Sequence, residues 1–422
     1  MSWMATGPRW ARTPGHRAWL HERAGRLLEF YTAAHDPAGG FADLDVTGRP
    51  LPTGWPPAPE PQTSLFQTTR MVHVYAIAHL WGHPAGARMV EHGLEHLWSA
   101  HRDRTHGGYY WVNGAAGPSN DSKQLYGHAF VLLAASSAKL AGHPDAGRIL
   151  DDVATVIDQH FWEDGPGAAA EEFTADWSEG SDYRGANGNM HFVEALLAAY
   201  EATGDTIHLD RAYAVTNRII AVATAANGWR IPEHYRADWS VDLRYGRDVF
   251  RPYGSTIGHW LEWSRLLLQL WVARGKRDGW LHDAATTLFD KAVQEGWDAA
   301  RGGFYFTVDW DGRPVDRDRY WWPCTEGIAA AYWLAEHTGE ERYESAYRRI
   351  WSWSRDHLVR ADGPWLHQLD DSLEPISNPW YGVPDVYHGL QATLIPTVPA
   401  TGSIVAGLLE RKEGADDVSD EH

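Results

Sequence analysis

A chain of 422 residues would ordinarily divide into two or three domains unless a repeat merges them into one. Its 37 basic and 56 acidic residues leave a formal charge of -19, which argues against holding nucleic acid or an anionic membrane through a basic surface and favours a neutral or small ligand. Cys324 is the only cysteine, so no intramolecular disulfide and no cysteine-based metal site can form, which suits a reducing cytoplasm.

From the N-terminus, Met1 to His16 lacks a continuous apolar core, and no later stretch of 18 apolar residues follows, so a soluble, unexported protein is expected. Leu20, Ala24, Leu27, Leu28 and Tyr31 then form one apolar stripe at helical spacing, with His21, Glu22, Arg23 and Arg26 opposite. That pattern predicts an outer helix, half against a core and half in water. Arg49 to Gln62 is rich in proline and is read as a lid or pocket wall.

Further on, a second kind of helix recurs. His128 to Ala141, His191 to Ala202 and Glu326 to Ala335 are apolar nearly all round, as a helix covered on every side should be. Six such inner helices begin beside Arg70, His128, His191, His259, Glu326 and His388. The first five of these residues lie 12 to 16 positions before Gly82, Gly142, Gly204, Gly275 and Gly339, each suited to end a helix. Aromatic, glycine-bearing turns mark the units at Gly39-Gly40-Phe41, Gly107-Gly108-Tyr109, Asp164-Gly165, Asn227-Gly228-Trp229, Gly302-Gly303-Phe304 and Gly363-Pro364-Trp365, 58 to 74 residues apart. Each interval holds one helical hairpin and a loop.

Six inner helices ringed by six outer ones make an all-α (α/α)6 barrel, predicted over residues 1–400 as one domain. Short stretches such as Gly303 to Asp309 would form small β-hairpins on one rim. His234 to Ser255 is a second lid or wall segment, and 401–422 is read as a polar, frayed tail. In a ring, the six polar residues at the helix starts would converge on one acid/base pocket.

Two constellations sharpen that pocket. His259-Trp260-Leu261-Glu262 and His191-Phe192-Val193-Glu194 each put an imidazole and a carboxylate on one helix face. Histidine titrates near neutrality and a carboxylate orients it, as proton shuttling requires. The same residues could ligate zinc or a metal pair, but the spacing is HxxE and not HExxH, and carboxylates at the inner-helix starts are sparse, so no metal is assigned. Aromatic faces suit the C–H faces of sugars, and Trp55, Trp111, Tyr126, Trp321, Trp322 and Trp380 fall at predicted rim positions.

Four segments together resemble the N-acylglucosamine 2-epimerase superfamily, in particular its mannose isomerase and aldose-ketose isomerase branch. They are Thr69-Arg70-Met71, Asn187-Gly188-Asn189-Met190-His191, Gly258-His259-Trp260-Leu261-Glu262-Trp263-Ser264-Arg265-Leu266-Leu267 and Val386-Tyr387-His388-Gly389. The resemblance implies sugar interconversion without a metal, cofactor or nucleotide. His259 and His388 would be the acid/base pair, Glu262 would orient His259 and assist ring opening, and Arg70 would meet the enediolate charge. His191 and Asn187 would bind the sugar, with Tyr126, Trp321 and Glu326 lining the pocket.

The expected reaction is D-mannose to D-fructose, with D-lyxose and D-xylulose as side chemistry, in a cytoplasmic monomer or homodimer. A sugar 2-epimerase shares the same enediol, and a glycoside hydrolase, a polysaccharide lyase or a non-catalytic sugar-binding barrel shares the same fold. A hydrolase would need two opposed acids, whereas these positions offer histidines.

Overall fold

The computed structural model describes residues 7–51, 60–376 and 382–419, with side chains to 412. Thirteen α-helices are present among the described residues: α1 (Pro14–Tyr31), α2 (Leu65–Trp81), α3 (Gly86–His96), α4 (Leu125–Leu140), α5 (Ala146–Val156), α6 (Ala186–Thr203), α7 (Thr206–Thr216), α8 (Ile257–Ala273), α9 (Gly279–Lys291), α10 (Trp321–Thr338), α11 (Glu341–His357), α12 (Val386–Leu394) and α13 (Ile404–Ser419).

The even-numbered helices are the inner ring, each packing on the next, and α12 packs on α2 to close it. Odd-numbered α1 to α11 are the outer ring, with α1 against α12, so the first outer helix is paired with the last inner one. Polarity explains the sorting. In α4 all residues from Gly127 to Ala138 are buried, whereas α5 buries only Ala146, Ile149, Leu150, Val153 and Val156, one stripe at helical spacing. Helices α3, α5, α7 and α9 each run into a short π-helical segment before the chain turns back.

The five glycines predicted to end inner helices all have positive φ, from 69° to 96°. A side chain is disfavoured in that left-handed conformation, so glycine lets the chain leave the helix there. Short antiparallel strands precede five inner helices: Gln62–Ser64, Lys123–Gln124, Tyr183–Gly185, Ser255–Thr256 and Arg319–Tyr320. They therefore gather at the rim where the inner helices begin, as the sequence predicts.

The far end of the barrel departs from expectation. Residues from Thr401 on are not simply a polar tail: α13 starts at Ile404, and Ile404, Val405 and Leu408 are buried. Helix α13 packs on α2 and α4. Glu201 of α6 accepts hydrogen bonds from the Ser403 backbone N–H and hydroxyl, fixing the segment across the barrel floor. The apolar run Ile404 to Leu409, just ahead of the charged end, supplies the anchor. The last residues, 420–422, lie outside the described residues. No described helix is long and apolar enough to cross a membrane.

Candidate active site

Counting along each inner helix sorts the lumen into layers, because three residues advance about 4.5 Å along a helix and return to nearly the same face. The sixth residues of α2, α4, α6, α8, α10 and α12 are Arg70, Phe130, His191, Glu262, Glu326 and Gln391. The first four follow one another in contact. The Arg70 guanidinium lies 4.5 Å from the Phe130 ring centroid, that ring lies 4.8 Å from the His191 ring, and His191 Nδ1 is 3.6 Å from Glu262 Oε1. Nearer the rim are the second and third residues, among them Tyr126, Asn187, His259, Trp322, Tyr387 and His388. One turn deeper are His73, Glu194 and Arg265.

Each rim histidine is held by a carboxylate. His388 Nδ1 is 2.9 Å from Glu326 Oε1, and His259 Nδ1 is 2.8 Å from Glu233 Oε2. Both rings lie against Trp322, with centroids 5.2 Å away for His259 and 5.9 Å for His388. The indole occupies space that only a glycine leaves open, since a Cβ on Gly258 would come within 2.1 Å of it. Gly258→Ala is therefore expected to displace Trp322, to cost about 1–3 kcal/mol of stability by overpacking, and to lower turnover. Thermal unfolding and steady-state kinetics on one preparation check both effects.

Arg265 is the charged centre of the deeper layers. Its Nε lies 3.1 Å from Glu326, and its Nη2 lies 3.4 Å from Glu194 and 3.6 Å from Glu262. Burial works against charge on all three carboxylates, with unequal results. At Glu194 burial is outweighed by His191, Arg265 and the Tyr387 hydroxyl, so its carboxyl is held below the ordinary range. At Glu326 burial is outweighed by Arg265 and His388, with the same sign. At Glu262 burial and the neighbouring Glu326 win, and its carboxyl is pushed well above the ordinary range. The shared surroundings thus favour the protonated form of Glu262 and the ionised forms of Glu194 and Glu326.

Around Arg70 the charge is fixed. Its guanidinium meets Asp385 Oδ2 at 2.9 Å and the Tyr126 hydroxyl at 2.6 Å. Asp385 also caps α12 by accepting the Tyr387 N–H, so one carboxylate places both Arg70 and the helix bearing His388. Burial lowers His191 to about 4, which leaves it neutral near pH 7. At 3.6 Å from both Glu194 and Glu262, its Nδ1 is too far to hydrogen-bond either.

Several polar atoms of lumen residues are buried without a hydrogen-bond partner among the described residues: Arg70 Nε, Asn187 Oδ1, His191 Nδ1, Glu262 Oε1 and Trp321 Nε1. Buried polar groups are normally paired, so such a concentration marks a place shaped for a ligand rich in hydroxyls. Trp321 stands on edge to His367 and His388, with centroids 4.9 and 6.3 Å away.

Three expectations need correction. His128 is not in the pocket: its Nε2 accepts the Tyr109 N–H at 3.1 Å and its Nδ1 donates to the Gln124 carbonyl at 2.8 Å, while Phe161 and Trp177 cover the ring. Both nitrogens are spent on the backbone, and burial lowers the group to about 3. It is the fourth residue of α4, and two residues of helix turn it away from the sixth position, where Phe130 stands.

The second correction concerns Glu262, expected to orient His259 through the i, i+3 relation. That place belongs to Glu233, 26 positions earlier in sequence, while Glu262 sits a turn deeper beside His191 and Arg265. Glu326, expected among the sugar contacts, is fully buried and spends both oxygens on His388 and Arg265.

Sequence reasoning gave no role to Glu233, Arg265 or Asp385. Arg265 was within reach, since His259, Glu262 and Arg265 step by three down one helix face. Glu233 carries no such signal, because it comes from an irregular segment before a short strand. Trp55, Trp380 and most of the predicted lid Arg49 to Gln62 lie outside the described residues.

His191, Glu194 and Glu262 bring potential ligand atoms within 4.8 Å of one another, the geometry a metal ion could use. Here the Arg265 guanidinium already stands against both carboxylates and Glu326, so the cluster carries its own cation.

The layered lumen, with a carboxylate-held histidine pair above an arginine-carboxylate floor, defines an (α/α)6-barrel protein with an acid/base pocket. Residues 39–392 match the N-acylglucosamine 2-epimerase (GlcNAc 2-epimerase) family, and the chain belongs to it. It is 42% identical over 407 residues to a D-mannose isomerase from Thermobifida fusca, covering 94% of this chain and 98% of that one. A D-mannose isomerase from Pseudomonas cannabina pv. alisalensis is 41% identical, with 94% and 97% covered. A crystal structure of D-mannose isomerase superimposes with a TM-score of 0.84 at 30% identity, covering 93% of this chain and 99% of that one.

Proposed function

We propose that this protein is a D-mannose isomerase, interconverting D-mannose and D-fructose, with D-lyxose and D-xylulose as further substrates. The observation that carries the reading is the pair His259 and His388 against Trp322, each with Nδ1 on a carboxylate and neither Nε2 bonded to a described protein group. The names of the relatives at 41 and 42% identity support the sugar.

The groups supply what an enediol route needs. Glu262, whose surroundings favour the protonated carboxyl, can give a proton to the ring oxygen as the C1–O bond of the pyranose breaks, while the anomeric hydroxyl passes its proton to one rim histidine and becomes the carbonyl. The other rim histidine then takes the proton from C2, the freed electron pair forms the C1–C2 double bond, and the former carbonyl oxygen carries the negative charge. Arg70, held by Asp385 and Tyr126, stabilises that oxygen. Returning the proton to C1, while the C2 hydroxyl passes its own to the negatively charged C1 oxygen, yields the ketose; delivery to the opposite face of C2 would yield the epimer. His191, neutral and buried, binds hydroxyls and does not carry the proton. No metal is required by this route.

The test is incubation of chelator-treated protein with D-mannose in D2O, followed by NMR. Fructose, appearing at an unchanged rate after chelation, is expected. Glucose as the product would make the protein an epimerase, and no turnover of any free aldose would end the isomerase reading.

A further inference from the structure

We propose that Glu233 is the positioning residue of His259: it fixes the ring with the proton on Nδ1, leaves Nε2 for the sugar, and balances the imidazolium formed in the reaction. The proposal deepens the isomerase reading and rests on it for the last of these three roles.

Glu233 is held from three sides. Its backbone carbonyl accepts the Ala186 N–H at 2.9 Å at the start of α6, its Oε1 accepts the Thr256 N–H at 3.0 Å just ahead of α8, and its Oε2 lies 2.8 Å from His259 Nδ1. The carboxylate is only 4% exposed, so water does not compete for it. With the carboxylate as acceptor, Nδ1 must be the protonated nitrogen, and a neutral ring then has its lone pair on Nε2. The residue next to it, His234, bridges the Tyr183 hydroxyl and the Pro252 carbonyl at 2.8 Å each. Adjacent residues thus anchor the wall segment leading to α8 and aim the histidine two residues into that helix.

The two histidines are not held alike. Glu326 divides its charge between His388 and Arg265, whereas among the described residues Glu233 has no lysine or arginine partner. Its whole charge faces His259; the other titratable groups that sense it are His234, Tyr183 and Tyr235, and Arg251 lies beyond Tyr183. When Nε2 takes a proton from the sugar, the bonding pair stays on the sugar and the ring becomes cationic next to an undivided anion. Removing the anion should weaken the base, and an amide in its place offers one acceptor oxygen to the two donors His259 Nδ1–H and Thr256 N–H.

Glu233→Gln removes the charge, Glu233→Asp restores it at shorter reach, and 15N NMR of the histidine rings reads both tautomer and titration without needing turnover. The His259 signals are assigned by their loss in His259→Gln. In the wild type, His259 should be the Nδ1–H tautomer. In Glu233→Gln, the ring should titrate at least one pH unit lower, kcat should fall about 10- to 100-fold with KM within about twofold, and the acid limb of the rate profile should move the same way. Glu233→Asp should recover much of both.

An Nε2–H tautomer in the wild-type protein, or a Glu233→Gln ring titrating as in the wild type, overturns the proposal, and the first of these needs no variant to fold. Wild-type protein that turns over no aldose would instead end the isomerase reading, while the ring titration still decides what Glu233 does.

Discussion

Alanine at position 388 lowers kcat for mannose–fructose exchange by about 1,000-fold, within the range that a placed acid/base group contributes, while the barrel stays folded. The fold survives because the vacated carboxylate is not orphaned: Glu326 Oε2 keeps its 3.1 Å contact to Arg265. The same substitution at His191 has a different signature. That ring is neutral near pH 7, so its loss raises KM several-fold more than it lowers kcat. Steady-state kinetics of the two variants, with circular dichroism to confirm folding, check the contrast. Equal losses of kcat in both would mean that protons do not pass through one histidine in preference to the other.

Stability is expected to fall on mild acidification. Burial lowers His73, His191 and His367 to about 4, and His101 and His128 to about 3, against an ordinary value of about 6.5 in the unfolded chain. Between those values the unfolded chain binds protons that the folded one refuses. The stabilisation is therefore complete above about pH 6.5 and is lost as pH falls toward 4, at about 1.4 kcal/mol per pH unit for each ring. The five rings act in one direction, and raised buried carboxyls such as Glu262 and Glu171 act in the other, so a net loss below about pH 6.5 is expected. The unfolding temperature should hold above pH 7 and drop steeply below 6.5; an unfolding temperature unchanged from pH 7.5 to 5 would contradict it.

These rings also show where sequence reading stops. His128 and His191 look alike in the sequence, each opening a long apolar helix. Only the local backbone separates them: Tyr109 and Gln124 occupy both nitrogens of His128, while His191 faces the lumen. The start of α4 is three residues before His128 and that of α6 five before His191, so the two side chains leave their helices in different directions. A shift of two residues, invisible in an apolar run without a sharp cap, decides between a structural histidine and one in the site.

The pattern of residues alone determined the ring of helical hairpins, because an all-apolar helix has to be covered and a one-striped helix has to face water on its other side. It also determined the i, i+3 neighbours, His191 with Glu194 and the line His259, Glu262, Arg265, because helical spacing is fixed by the backbone. Pairings across helices were decided by the tertiary structure. Glu233 with His259, Glu326 with His388 and Asp385 with Arg70 join residues 26, 62 and 315 positions apart. Whether Glu262 holds its proton is decided there as well, since that depends on burial beside Glu326 within one closed lumen and not on any neighbour in the chain.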